Sequence, residues 1–260
     1  MYKFCNLAPG QFHIIVLPEA DSTNNYAKRL LEGSEPEELS VVRALFQTGG
    51  RGQSGNHWES KAGENLTFSI ILYPAFITAD RQFCLSQAVS LGICDYLKRH
   101  TGSVRIKWPN DVYAGNRKIA GILIENTLMQ DSIASTVAGI GLNMNQRTFD
   151  PYTPEAVSLS MLTGKEYQVS DEFPVLLDCI ATRYDMLKKK KFSAIGRDYL
   201  EQLYWRGETH QFEDADGRFS GMITGTGDCG ELFITDDMGR KRTYLFKEVR
   251  FIHGTPYTTD

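Results

Sequence analysis

Phe12–Leu17 is an apolar run of strand length, and Ser40–Phe46 and Leu66–Leu72 are two more, rich in β-branched residues. Between the first two, Tyr26, Ala27, Leu30 and Leu31 recur at helical spacing. Asp21-Ser22-Thr23-Asn24 stands just ahead of them and supplies four side chains able to cap the first helical turn. Thr78–Arg99 carries the broadest helical face, made by Phe83, Ala88, Val89, Leu91, Ile93, Tyr96 and Leu97. Val104–Lys107, Lys118–Ile124 and Ile133–Leu142 predict strands, with turns at Asn110/Asp111, Gly115/Asn116 and Gln130/Asp131. Ser170–Lys190 and Phe192–Tyr204 predict helices broken near Lys191. From about Gly207 only short apolar stretches remain, divided by Asp216-Gly217, Gly227-Asp228 and Asp237–Gly239, which is the texture of a small all-β unit. The expected organisation is an α+β unit over 1–206, a mixed sheet with helices packed on it, followed by a β unit over 207–260.

Composition narrows the classes of function. With 28 Lys+Arg against 32 Asp+Glu, the net charge of −4 offers no basic face, and no nucleic-acid partner is expected. No apolar run approaches the roughly 18 residues of a membrane span, so no membrane partner is expected either. The N-terminus lacks a basic segment followed by an apolar one, so no secretory signal is read. The five cysteines are odd in number and contain no C-x-x-C pair, which fits a reducing cytoplasm rather than a disulfide framework. The five histidines show no ligand spacing, and no His/Cys metal site is expected.

Five strings carry candidate chemistry, and each has an ordinary structural explanation beside the functional one. Gly50–Gly55 reads GRGQSG inside a polar loop, Gln47–Gly63. A dinucleotide fold would need a helix at its last glycine and an acid about twenty residues on, and neither is present. A plain turn explains the glycines, while backbone N–H groups and Arg51 could also wrap a phosphate. Lys107–Asp111, KWPND, is a strand-ending turn that places Asp111 where a hard oxygen ligand could meet a Mg²⁺–triphosphate. Lys118 opens the apolar KIAGILIE; it either snorkels or requires an anionic partner. GIGLNMN at 139–145 sets two glycines in a strand, for sheet crowding or for close approach of a ligand. The DSTN tetrad is explained by helix capping.

The order of these strings is more informative than any one of them. DSTN, then QTGGRGQSGNHW, KWPND, RKIAGILIE and GIGLNMN resemble the catalytic domain of the biotin protein ligases over roughly residues 13–145. The resemblance implies a class II synthetase-like catalytic domain, a small SH3-like C-terminal β-barrel, and the substrates biotin and ATP with Mg²⁺. The implied reaction forms biotinyl-5′-AMP and then biotinylates a lysine of a biotin carboxyl carrier domain. By the same resemblance Ser22, Thr23, Asn24 and Gln47 bind biotin, with Gly50 and Arg51 in a loop closing over it. Gly121, Ile122, Gly139 and Gly141 flank it on the strands. Trp58, Asn110, Asp111 and Asn143 belong to the ATP side, Asp111 as the metal ligand. Lys118, beside the biotin carboxylate and the α-phosphate, and Arg51 are the catalytic cations.

The family often carries further arginines in the glycine loop, where this chain has Gln53, Ser54 and Asn56. A looser hold on the adenylate is expected. The chain starts about twenty residues before DSTN, so no N-terminal DNA-binding domain is expected. A lipoate-type ligase of the same superfamily and a non-enzymatic biotin sensor are the competing readings. The GRGxxG loop and KWPND speak against the first. The −4 charge and the retained Lys118 and Asp111 speak against the second.

Overall fold

His13–Ala20 (β1), Ser40–Gln47 (β2) and Leu66–Leu72 (β3) begin a seven-stranded sheet. The structure, a computed structural model, describes residues 12–150 and 156–253. Thr23–Gly33 (α1) links β1 to β2, which run parallel, as a crossover helix requires. Phe83–Leu97 (α2) precedes Val104–Lys107 (β4), Asp111–Ala114 (β5), Arg117–Met129 (β6) and Ser132–Leu142 (β7). The order across the sheet is β1-β2-β3-β7-β6-β5-β4, antiparallel after the first pair, so the sheet is mixed as expected.

Leu159–Thr163 (α3), Val169–Lys188 (α4) and Phe192–Gln202 (α5) complete the larger unit. The break between the last two falls at Lys190, which adopts φ 56°. Helices α2, α4 and α5 pack together on one face of the sheet. There Phe68 and Ile70 of β3, Ala138 and Ile140 of β7 and Ile122 of β6 meet Leu85, Ile93 and Leu177. Helix α1 covers the other face with Ala27 against Val42, Ile71 and Val137. Strand β3 is buried along its whole length because both of its faces are covered. Yet Thr67 and Ser69 are polar, Thr67 donating to the Ala44 carbonyl of β2 and Ser69 to Thr23 of α1. The α1 face holds the site.

Thr209–Asp214 (β8), Gly217–Thr226 (β9), Leu232–Asp236 (β10), Lys241–Tyr244 (β11) and Arg250–Ile252 (β12) form a second sheet in the order β11-β10-β9-β8-β12. Among the described residues it is open: the expected all-β texture is present, and the expected closed barrel is not. β11 and β12 are its edges, with no ladder joining them. Residues 254–260 of the expected β unit, and Cys5, lie outside the described residues. Cys84, Cys94 and Cys179 are buried free thiols and Cys229 an exposed one. No helix among the described residues is long and apolar enough to cross a membrane.

Candidate functional site

The open face near the N-terminus of α1 holds a cavity. Its closed end is built by the DSTN tetrad and the end of β2. Ser22 is the N-cap residue, but its side chain makes no capping bond, contrary to the capping explanation. The backbone N–H of Thr23 donates instead to Gln47 Oε1 at 2.8 Å. Asp21 is occupied outside the cavity by Arg29 and Asn25; these two hold its carboxyl well below the usual range, Arg29 most strongly. Ser22, Thr23, Asn24 and Gln47 therefore all face the cavity.

The glycine loop folds back as a short hairpin. Arg51 bridges to His57 around a 3-10 turn at Gln53–Gly55, and Trp58 N–H donates to the Gly50 carbonyl at 3.0 Å. A Cβ on Gly50 would meet the Trp58 carbonyl oxygen at 2.4 Å, so only glycine permits this return. The hairpin lays the Trp58 indole across the sheet. Gly121 of β6 and Gly141 of β7 are directly paired, and a Cβ on Gly141 would meet Trp58 Cε2 at 2.2 Å. Gly139 likewise makes room for the amide of Asn24. The strand glycines are thus seats for side chains of the site. The Trp58 Nε1 donor is buried with no partner, and Lys118 Nζ lies 5.6 Å from its ring.

Lys118 has the anionic partner its position demands. Its Nζ is 2.7 Å from Asp111 Oδ1, an ion pair that lies off hydrogen-bonding geometry. The pairing of β5 with β6 sets Asp111 opposite Gly121. Asn110 fixes the turn ahead of it by donating to the Ile122 carbonyl at 2.7 Å and accepting from the Ile122 N–H. Trp108 anchors the same turn from behind, its Nε1 donating at 2.9 Å to the Gly230 carbonyl in the turn between β9 and β10.

Arg51 is tied down. It donates to Asn25 Oδ1 at 2.8 Å and to Glu125 at 3.3 Å, while Lys28 and Asn24 also donate to Glu125, at 2.5 and 2.8 Å. Burial pushes the Glu125 carboxyl up, but Lys28, Asn24 and Arg51 outweigh it and hold it below its ordinary value.

Arg51, Trp58, Asn110, Asp111 and Lys118 thus share one cavity with the DSTN–Gln47 end, as do Gly121, Ile122, Gly139 and Gly141. The Ile122 side chain itself belongs to the core. Gly50 lies behind the wall, and so does Asn143, whose Nδ2 donates to the Val157 carbonyl while its Oδ1 is buried without a partner. Sequence reasoning passed over Leu123 on the wall and Ser69 and Glu125 behind it, and named Gln53 only as standing where the family often has an arginine. Two signals were available. Glu125 shares a strand face with Gly121, and Thr67 and Ser69 are polar at alternate positions in an otherwise apolar strand. No cluster of three or more His, Cys, Asp or Glu able to hold a metal occurs among the described residues. Among the described residues Asp111 is the one carboxylate on the cavity wall.

The arrangement can bind a neutral polar ring at one end and neutralise an anion at the other. The profile of the Biotin/lipoate A/B protein ligase family matches residues 16–145, and the chain belongs to that family. Its relatives are more specific. It is 29% identical over 89% of its length to the bifunctional ligase/repressor BirA of Bacillus subtilis, covering 72% of that protein. It is 28% identical to the biotin–[acetyl-CoA-carboxylase] ligase of Paracoccus denitrificans, over 87% of this chain and 95% of that one. The structure of the Aquifex aeolicus biotin protein ligase in complex with biotin and ATP superposes with a TM-score of 0.76 at 28% identity, covering 92% of this chain and 99% of that one.

Proposed function

We propose that the chain is an ATP-dependent biotin protein ligase that biotinylates a lysine on the carrier domain of a carboxylase. The observation that carries this reading is the two-ended cavity: uncharged donors and acceptors at Thr23 and Gln47, and the Lys118–Asp111 pair along the same wall. The ureido ring of biotin fits the first end. Its tail then points along the wall towards Lys118.

In the first half-reaction a carboxylate oxygen of biotin attacks the α-phosphorus of ATP. The bond to the β,γ-diphosphate breaks, and biotinyl-5′-AMP and pyrophosphate form. Both reactants are anionic, so Lys118 acts by neutralising charge that accumulates in the transition state. Arg51 adds a second cation once released from Glu125. In the second half-reaction the neutral amine of the acceptor lysine attacks the acyl carbon, AMP leaves with the bonding electron pair, and the amine loses a proton. No enzyme nucleophile is required. Trp58 and Asn110 are read as the nucleotide side, with Asn143 behind the wall as a support rather than a direct contact. A Mg²⁺ carried by the triphosphate would take Asp111 as its protein ligand, since Mg²⁺ binds with one or two carboxylates and phosphate oxygens. It would supply further neutralisation of phosphate charge.

The second sheet is read as the counterpart of the family's SH3-like unit, with 1–206 and 207–260 as the two domains. The net charge of −4 favours a protein acceptor over nucleic acid, and buried free thiols fit the cytoplasm. The test is pyrophosphate release with biotin or lipoate as the acid, followed by mass measurement of a carrier domain. Release driven by lipoate and not by biotin overturns the reading.

A further inference from the structure

The Glu125 carboxylate holds two cations where one would neutralise it. Lys28 of α1 donates to its Oε1 at 2.5 Å, and Arg51 of the glycine loop donates to the same oxygen at 3.3 Å. Asn24 Nδ2 donates to the other carboxylate oxygen at 2.8 Å. Arg51 also donates to Asn25 Oδ1 at 2.8 Å. Arg51 stands on the cavity wall, whereas Lys28 and Glu125 do not line it. The Glu125 side chain keeps 20% exposure, against 42% for Lys28 and 44% for Arg51.

With one carboxylate and two cations the group is positive, so one cation can leave without stranding the carboxylate. The two are not equivalent. Lys28 makes the shorter contact and springs from a helix. Arg51 makes the longer contact, from a loop, at the edge of the cavity. Arg51 is therefore the cation that an anion in the cavity can draw away. When it goes, Glu125 keeps Lys28 and Asn24. No half-buried charge is orphaned, and the transfer costs little. Without Lys28 the same move would leave Glu125 with Asn24 alone, and Arg51, its last cation, would be held harder.

We propose that Lys28 and Glu125 are positioning residues for adenylate formation: Glu125 parks the Arg51 side chain beside the cavity, and Lys28 keeps the carboxylate neutralised when Arg51 turns to the phosphate. This rests on the reading of the cavity as the seat of biotin and ATP. Lys28 and Glu125 act through Arg51 and touch no reacting atom.

The test is single-turnover pyrophosphate release by the full chain at saturating biotin and ATP. Lys28→Met is expected to slow release about fivefold or more; the exposure of both cations sets the effect at the low end of what a charged hydrogen bond contributes. Lys28→Arg should keep most of the rate. Adding Glu125→Gln to Lys28→Met should return most of the lost rate, because a neutral amide no longer holds Arg51 by charge. In an Arg51→Ala background Lys28→Met should cause no further slowing. A merely structural role for Lys28 predicts neither the repair nor the dependence on Arg51. Lys28→Gln supplies the same measurement if the methionine variant does not fold. A Lys28→Met rate within about twofold of wild type, a loss that Glu125→Gln does not repair, or a loss that persists without Arg51 overturns the exchange and leaves the ligase reading intact. A wild type that releases no pyrophosphate with biotin overturns the ligase reading itself and the exchange with it.

Discussion

Replacing Lys118 with alanine removes the ammonium from the cavity wall and leaves Asp111, 2.7 Å away in the intact protein, without its counterion. The charge of the Lys118–Asp111 pair falls from zero to −1, facing two anionic reactants. A unit charge 4 Å from a reacting oxygen is worth about 4 kcal/mol at an effective dielectric of about 20. Lys118 retains 33% side-chain exposure, so water screens part of that. Loss of a preorganised electrostatic donor costs ~10²–10³-fold, or about 2.7–4 kcal/mol. The repulsion from the orphaned Asp111 adds to this loss. Lys118→Ala is therefore expected to slow adenylate formation by ~10²-fold or more. The assay is pyrophosphate release at saturating biotin and ATP, with biotin affinity measured separately by equilibrium binding. Affinity should change far less than rate, because Thr23 and Gln47 hold the ring and are untouched. A variant whose rate stays within threefold of wild type would refute the assignment of Lys118 to the reacting centre.

Gly141→Ala drives a methyl into the Trp58 indole, where a Cβ would stand 2.2 Å from Cε2; Trp58 should leave the sheet, seen as faster proteolysis of the glycine loop and loss of most adenylation. Gln53→Arg adds a cation on the cavity wall, where Arg51 is held by Glu125 and Asn25. It should slow escape of activated biotin onto bystander lysines in the absence of carrier, and unchanged leakage would show that loop charge does not retain the intermediate. In the second sheet, burial raises the Asp236 carboxyl. The Arg240 N–H and the guanidinium groups of Arg240 and Arg242 outweigh that and bring it down to about 2. A depressed acid contributes stability that is present above its ordinary value of 3.8 and lost as pH falls through about 2. Asp236→Asn should flatten the acid limb of a thermal-melting profile in that window, and a superimposable profile would count against it.

The elements that sequence reasoning recovered are those with a long apolar period on one face. α2 and β3 are of this kind, and the break before α5 fell where Lys190 takes its positive φ. β5 was missed because Asp111–Ala114 is short and follows a proline turn, so the turn was read and the strand it feeds was not. The open second sheet departs from the expected barrel because turn spacing reports hairpins, whereas closure depends on pairing between strands far apart in sequence. In the site, the strings located nearly the whole wall. They gave no access to the polarity of its groups. Ser69 looks like one more residue of a buried strand until Thr23 and Asn24 are seen on either side of its hydroxyl.

Trp108 stands two residues before Asn110, and its indole reaches out of the larger unit to the Gly230 carbonyl, with Phe246 packed 5.4 Å away. Gly230 in turn sits against Phe83 so closely that a Cβ would come within 2.9 Å of its ring. The consequence is one of modularity. A unit joined only by its linker could be exchanged among relatives as a cassette. This one could not, because its 227–230 turn is a fixed support for the loop that presents Asp111. Grafting a foreign second sheet would require its turn to carry a carbonyl at the same height and a glycine at the same place, whatever the rest of its sequence.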